Sequence, residues 1–198
     1  MTSVFLDSVS ASRTYPITDR SLSGLSHADQ VAALASRGMT IVQIREKNLS
    51  PIEFYREAEQ AIIVARHHGV KIIINDRVDI ALALKADGVH LGQDDLPVEA
   101  ARRLLGKDVI IGLSTHNLGQ AQHAASLPID YLAIGPVFPT GTKESSNAPV
   151  GLVGLTEVRH AVSGIPLVAI GGLNASNRDQ VIAAGADAVA MIHDIWAS

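Results

Sequence analysis

Residues 71–95, KIIINDRVDIALALKADGVHLGQDD, decide the fold. They hold two apolar runs, Ile72-Ile73-Ile74 and Gly88-Val89-His90-Leu91, which pass into Asn75-Asp76 and Gly92-Gln93-Asp94-Asp95. Between them, residues 78–85 are rich in Ala and Leu, the composition of a short helix joining two parallel strands. Strands joined in this way end at the same edge of a sheet, so Asp76 and Asp95 are expected to converge there. Two carboxylates meeting at an open edge suit a hard divalent cation such as magnesium. The competing role for each is to cap the following helix, and Asp94 is read as the bystander of its pair.

The same alternation extends in both directions. Strands are expected at residues 15–20 and 40–47, then at 72–76, 88–91, 109–114, 131–135, 167–170 and 188–191. Helices are expected at residues 26–37, 51–68, 78–85, 97–105, 117–126 and 152–162, with a last one beginning near Ser176. The second of these helices has the clearest signal: Ser50-Pro51-Ile52-Glu53 is a capping box with proline at the first helical position. Phe54, Ala58, Ala61, Ile62 and Ala65 then form one apolar stripe ahead of Gly69. Residues 1–13 read as a flexible arm or a short helix closing the bottom of the fold. A weak repeat supports the count, since Ala86-Asp87-Gly88-Val89 and Ala186-Asp187-Ala188-Val189 both stand where helix hands over to strand, as does Ile129-Asp130-Tyr131. Eight strands alternating with helices indicate an α/β fold, a single (β/α)8 barrel of the triosephosphate-isomerase type spanning residues 1–198 with minimal insertions.

Bulk composition agrees with that reading. A chain of 198 residues that is 47% hydrophobic but only 4% aromatic builds its core from Ile, Val, Leu and Ala, as parallel strands under helices do. A net charge of −4 without a basic stripe argues against a nucleic-acid surface. The absence of cysteine excludes disulfides and thiolate chemistry and fits a reducing compartment. No apolar run is long enough for a membrane span, and residues 1–7 lack a signal core, so a cytoplasmic location is expected. The sequence leaves a homo-oligomer open.

In such a barrel the chemistry lies at the carboxyl ends of the strands. Along residues 40–47 the two-residue period puts Gln43, Arg45 and Lys47 on one face and Val42, Ile44 and Glu46 on the other. Apolar Val42 and Ile44 must face the helices, which turns Gln43, Arg45 and Lys47 inward. They form either a set of ion pairs at the barrel mouth or an anion cradle. Residues 136–150 make the one long irregular segment, and there Lys143 stands beside Thr140, Gly141 and Thr142, small groups that let a backbone close around an anion. Gly171-Gly172, after the seventh strand, occupies a place where such barrels often bind phosphate through backbone N–H groups, the plain alternative being a tight turn. His90 reads as a core histidine with its hydrogen bonds satisfied rather than as a metal ligand.

Taken as an ordered set, these residues resemble the thiamine-phosphate synthase family over nearly the whole chain. The motifs that carry the likeness are Gln43-Ile44-Arg45-Glu46-Lys47, Asn75-Asp76, His90-Leu91-Gly92-Gln93-Asp94-Asp95, Gly112-Leu113-Ser114-Thr115-His116, residues 135–143 (GPVFPTGTK) and Ala169-Ile170-Gly171-Gly172. The resemblance implies a transferase that joins a pyrimidinylmethyl diphosphate to a thiazole phosphate and releases pyrophosphate. It implies magnesium on Asp76 and Asp95. Gln43, Arg45, Lys47, Asn75 and Lys143 would hold the diphosphate, and Ser114 would contact the pyrimidine. Thr140, Gly141, Thr142, Gly172, Ile192 and His193 fall on the thiazole-phosphate positions. One departure stands out, because strand eight of the family usually runs into a small serine-containing turn and here reads Met191-Ile192-His193-Asp194-Ile195-Trp196.

Three rivals remain at this level. A thiazole tautomerase shares the barrel but resembles a version with histidine after the glycine that ends strand six, where this chain has Pro136. A barrel that binds thiamine precursors without turnover is a second. A generic aldolase or isomerase barrel would want a Schiff-base lysine or a glutamate base, and Glu46 faces away from the interior.

Overall fold

A computed structural model describes residues 3–140, 148–192 and 195. The described residues contain eight strands: β1 (Thr14–Thr18), β2 (Ile41–Ile44), β3 (Lys71–Asn75), β4 (Gly88–Leu91), β5 (Ile110–Thr115), β6 (Tyr131–Ile134), β7 (Leu167–Ala169) and β8 (Ala188–Met191). All pair in parallel in chain order, and β8 closes the barrel against β1. Helices α3 (His27–Ser36), α4 (Pro51–His68), α5 (Val78–Leu84), α6 (Val98–Leu105), α7 (Leu118–Ala124), α8 (Gly151–Ala161) and α9 (Arg178–Ala183) connect them. The fold is the expected (β/α)8 barrel. None of the described helices is long and apolar enough to cross a membrane.

Strand parity sorts the side chains into two cores. Val42, Ile44, Ile72, Ile74, Val89, Leu91, Ile111, Leu132 and Ile134 face outward and pack under the helices together with the α4 stripe of Phe54, Ala58, Ala61, Ile62 and Ala65. Tyr15, Ile17, Ile41, Ile73, Ile110, Tyr131, Ala133, Val168 and Ala188 fill the barrel interior. Short helix α1 (Val4–Val9) adds Phe5 and Val9 to that inner core from below. Phe5 stacks on Tyr131 with ring centroids 3.9 Å apart and meets Tyr15 edge-on at 5.3 Å. Tyr131 fits because its register neighbour is Gly112, where an added Cβ would stand 2.1 Å from the Tyr131 ring.

The repeated aspartates bind the bottom of the barrel. Asp87 accepts a hydrogen bond from Ile72 N, Asp130 from Ile111 N and Asp187 from Leu167 N, each at 2.8 Å. Each carboxylate thus holds the amide near the start of a neighbouring strand, and Asp130 and Asp187 are in turn gripped by Arg102 and Arg159 at 2.6 and 2.9 Å. Ile111 is fully buried, so Asp130→Ala would orphan its N–H. The expected cost is about 2 kcal/mol, or roughly 4–8 °C of thermal midpoint, with catalysis unchanged at lower temperature. A melting curve checks this.

Several boundaries differ from the sequence reading, each for a local reason. Strand β2 stops at Ile44, because Glu46 accepts from the N–H groups of Lys47 and Asn48 at 2.8 Å each and turns the chain. Arg45 and Lys47 therefore ride on the turn and not on the strand. Residues 19–23 break from β1 because Asp19 accepts from Ser21 N and Leu22 N and starts helix α2 (Arg20–Ser23), which composition did not announce. Helix α9 begins at Arg178, two residues late, since Asn174 takes the N–H groups of Ser176 and Asn177 into a turn.

Candidate active site

A cavity of about 390 Å³ opens at the carboxyl ends of the strands. That is enough for a drug-sized ligand. Of the residues singled out in the sequence, Gln43, Arg45, Asn75, Ser114, Thr140, Gly172 and Ile192 line it. Lys47, Asp76 and Asp95 stand together beside it, as their mutual contacts show. Gly141, Thr142, Lys143 and His193 lie outside the described residues.

The two aspartates converge, and neither caps a helix. The N-cap of α5 is Arg77 and that of α6 is Pro97, both without a side-chain cap hydrogen bond. Asp76 is held in the left-handed backbone region, at φ 62°, by a hydrogen bond from its N–H to His90 O of 2.8 Å. Aspartate tolerates that conformation better than most residues. Its carboxylate contacts Lys47 Nζ. Asp95 accepts from Gly92 N at 2.7 Å, while Asp94 is exposed.

Partial burial pushes the Asp95 carboxyl above its ordinary range, opposed by the Gly92 hydrogen bond, and the neighbouring Asp76 charge pushes it further up. A carboxyl whose pKa is raised by folding lends its stability at low pH and loses it as pH climbs through the folded value. Lys47 offsets this only in part, so the pair strains the fold at neutral pH. Asp95→Asn should raise the thermal midpoint of metal-free protein at pH 7, do less near pH 4, and remove any further rise on adding magnesium. Calorimetry at the two pH values checks the sign.

At this rim Arg45 is paired. Arg45 Nη1 lies 2.6 Å from Asp19 Oδ2, so the guanidinium is held by a counterion that also starts α2. Below the turn, buried His27 shares a 2.8 Å hydrogen bond with Thr18 and points Nε2 toward Glu46 at 3.6 Å. Burial lowers the pKa of His27 and the Glu46 charge partly offsets that. Glu46 thus faces away from the interior, as parity requires, yet its side chain is only 7% exposed. It fixes the turn that carries the two cations.

On the far side of the cavity the loop after β6 lies against the turn after β7. Val137 N donates to Ile170 O at 2.9 Å and Phe138 N to Gly171 O at 3.0 Å. Gly171 and Gly172 have φ of 96° and 66°, and a Cβ on Gly172 would stand 2.7 Å from Pro139 O. Both glycines are required sterically. His116 Nδ1 lies 2.6 Å from Gly135 O, a carbonyl that can only accept, so Nδ1 carries a proton and donates it.

Sequence reasoning missed Asp19, Tyr15, Tyr131 and His116. Tyr131 had left one legible trace, the glycine at position 112 inside a neighbouring strand.

The fold and rim define a barrel enzyme acting on small molecules at the carboxyl ends of its strands. The family described as thiamine monophosphate synthase matches residues 14–195. A thiamine-phosphate synthase of Clostridium novyi (strain NT) is 47% identical over 184 residues, covering 92% of this chain and 90% of the relative. One from Chloroflexus aurantiacus is 48% identical over 187 residues, 94% of this chain and 86% of the relative. Among solved structures, a thiamine phosphate pyrophosphorylase from Pyrococcus furiosus superposes with a TM-score of 0.83 at 36% identity, covering 93% of this chain and 87% of that one. The chain belongs to the thiamine monophosphate synthase family, and the enzyme is a transferase.

Proposed function

We propose that this barrel joins 4-amino-2-methyl-5-pyrimidinylmethyl diphosphate to a thiazole phosphate, releasing pyrophosphate, by a dissociative substitution. The single observation supporting the mechanism is the meeting of Asp76 with Asp95 and Lys47, next in the chain to Asn75, which lines the cavity as Arg45 does, in a chain whose relatives are thiamine-phosphate synthases.

The residues present fit a magnesium ion. Asp76 and Asp95 offer hard oxygens in mutual repulsion, which a dication would relieve. Among the described residues no third carboxylate or histidine joins them. A magnesium shell completed by diphosphate oxygens and water needs only one or two carboxylates. Such an ion would neutralise charge developing on the departing diphosphate.

The remaining work falls to side chains. Arg45 and Lys47 stabilise the leaving oxygens, joined by Lys143 and by Asn75 and Gln43 at the cavity wall. The C–O bond breaks as positive charge spreads into the electron-rich aminopyrimidine, which Ser114 orients. The thiazole nitrogen, aligned by its phosphate on Thr140, Gly141, Thr142, Gly172, Ile192 and His193, then supplies the electron pair for the new C–N bond. No strong base is needed, in keeping with a rim of metal ligands and cations. The work is assigned to the cytoplasm.

Mixing both phosphorylated precursors with the protein and magnesium should yield thiamine phosphate and pyrophosphate in equal amounts. Isomerisation of a thiazole phosphate alone would favour the tautomerase, and tight binding of the pyrimidine diphosphate without product would favour the binding barrel.

A further inference from the structure

Four buried groups cross the barrel interior in a line. Gln43 Nε2 lies 3.2 Å from the Tyr15 hydroxyl, which lies 2.9 Å from the Tyr131 hydroxyl. That hydroxyl lies 2.8 Å from His90 Nδ1, and His90 Nε2 lies 2.8 Å from Ser114 Oγ. The line begins on β2, passes through β1, β6 and β4, and ends on β5 at the cavity wall. Tyr15 and Tyr131 are at most 1% exposed, Gln43 2% and His90 6%.

The direction of the chain follows from its first atom. An amide nitrogen can only donate, so Tyr15 accepts from Gln43 and its own O–H must point elsewhere. The Tyr131 oxygen is its partner. Tyr131 in turn gives its proton to His90 Nδ1, which must be bare, and His90 therefore carries its hydrogen on Nε2 and donates to Ser114. Running the chain backward would make the Tyr15 oxygen accept from both Gln43 and Tyr131 and leave its own buried O–H with no acceptor among the described residues. Burial raises the pKa of both phenols far above neutrality, so each keeps the one proton it has to pass along.

We propose that Gln43, Tyr15, Tyr131 and His90 form a one-way hydrogen-bond relay that fixes Ser114 as a donor into the cavity and makes the site select a heteroaromatic ring presenting an unprotonated nitrogen there. Ser114 Oγ accepts from His90, and among the described residues its own proton has no acceptor, so it is directed into the open space. A ring nitrogen with a lone pair completes the line. A ring N–H would meet a second donor and be refused. This matters for the reaction, because a proton on the ring would withdraw the electron density needed when the diphosphate leaves. The relay moves no proton; it orients the last one, and Tyr15, Tyr131 and His90 are positioning residues acting through Ser114.

The ligand's identity rests on the reading above, but the direction of the relay does not, and it can be measured without substrate. In protein labelled with nitrogen-15 histidine, the His90 signal is picked out of the eight histidines by its loss in His90→Asn and its displacement in Tyr131→Phe. The expected spectrum shows hydrogen on Nε2 and a bare Nδ1, with the two tautomers mixing in Tyr131→Phe. Hydrogen on Nδ1 in the unaltered protein overturns the proposal. Kinetics give an independent arm, since Tyr131→Phe keeps the ring stacked on Phe5 and removes only the link. It should lower kcat/KM roughly tenfold, and by less than about twofold when Ser114 is already alanine. Equal losses in both backgrounds would assign Tyr131 a purely structural role and sink the relay. Absence of any turnover in the unaltered protein would count against the reaction and leave the tautomer result standing.

Discussion

Asp76→Asn is expected to remove magnesium-dependent turnover while leaving the barrel folded. Asparagine is the better test than alanine, because φ at this position is 62° and asparagine accepts the left-handed region. The side chain contacts Lys47 and Asp95 and starts no helix, so the substitution disturbs charge more than packing. Losing one of two carboxylates weakens the hold on a dication and leaves the diphosphate charge poorly neutralised. If this removes about 4 kcal/mol of transition-state stabilisation, the rate falls about 10³-fold. Steady-state assays across a magnesium titration, with circular dichroism confirming the fold, give the result. Wild-type rates in this variant would remove Asp76 from the metal site.

The second large effect is expected at Arg45. A unit charge about 4 Å from the leaving oxygens, at an effective dielectric of ~20, contributes about 4 kcal/mol, so Arg45→Ala should slow single-turnover bond cleavage about 10³-fold. The structure adds a twist. Arg45 is paired to Asp19 at 2.6 Å, and its removal leaves that carboxylate facing the departing anion. Arg45→Ala combined with Asp19→Asn should therefore recover about tenfold of the loss, as expected when two contacting groups are not additive. Asparagine can still accept the α2 amides, so the helix start survives. If the double variant is no faster than the single one, Asp19 has no electrostatic say at this rim.

What was legible in the sequence was whatever depends on near neighbours. The β3-α5-β4 unit follows from two apolar runs and an Ala/Leu bridge, and the inward turn of Gln43 follows from the alternation of Val42 and Ile44. The α4 stripe could be read residue by residue because capping box, period and terminal glycine agree. Contacts made by closing the barrel could not be read in the same way. Tyr15 and Tyr131 are 116 residues apart, and only Gly112 hints that a ring must fit beside it. The pairing of Arg45 with Asp19 spans 26 residues and depends on β1 and β2 being neighbours. The aspartate repeat was visible as a pattern, but its purpose, holding the amide of a neighbouring strand, appears only once the strands are in register. Boundaries slipped where a side chain captured a backbone N–H, as Glu46, Asp19 and Asn174 do, since such captures end a strand or delay a helix without altering the hydrophobic period.

A crystal structure of the protein with magnesium and pyrophosphate probes the rim most directly. The account predicts one cation at about 2.1 Å from oxygens of both Asp76 and Asp95, with pyrophosphate bridging it to Arg45 and Lys47, the latter released from Asp76. A cation bound elsewhere, or a pyrophosphate seated away from those four side chains, would contradict it.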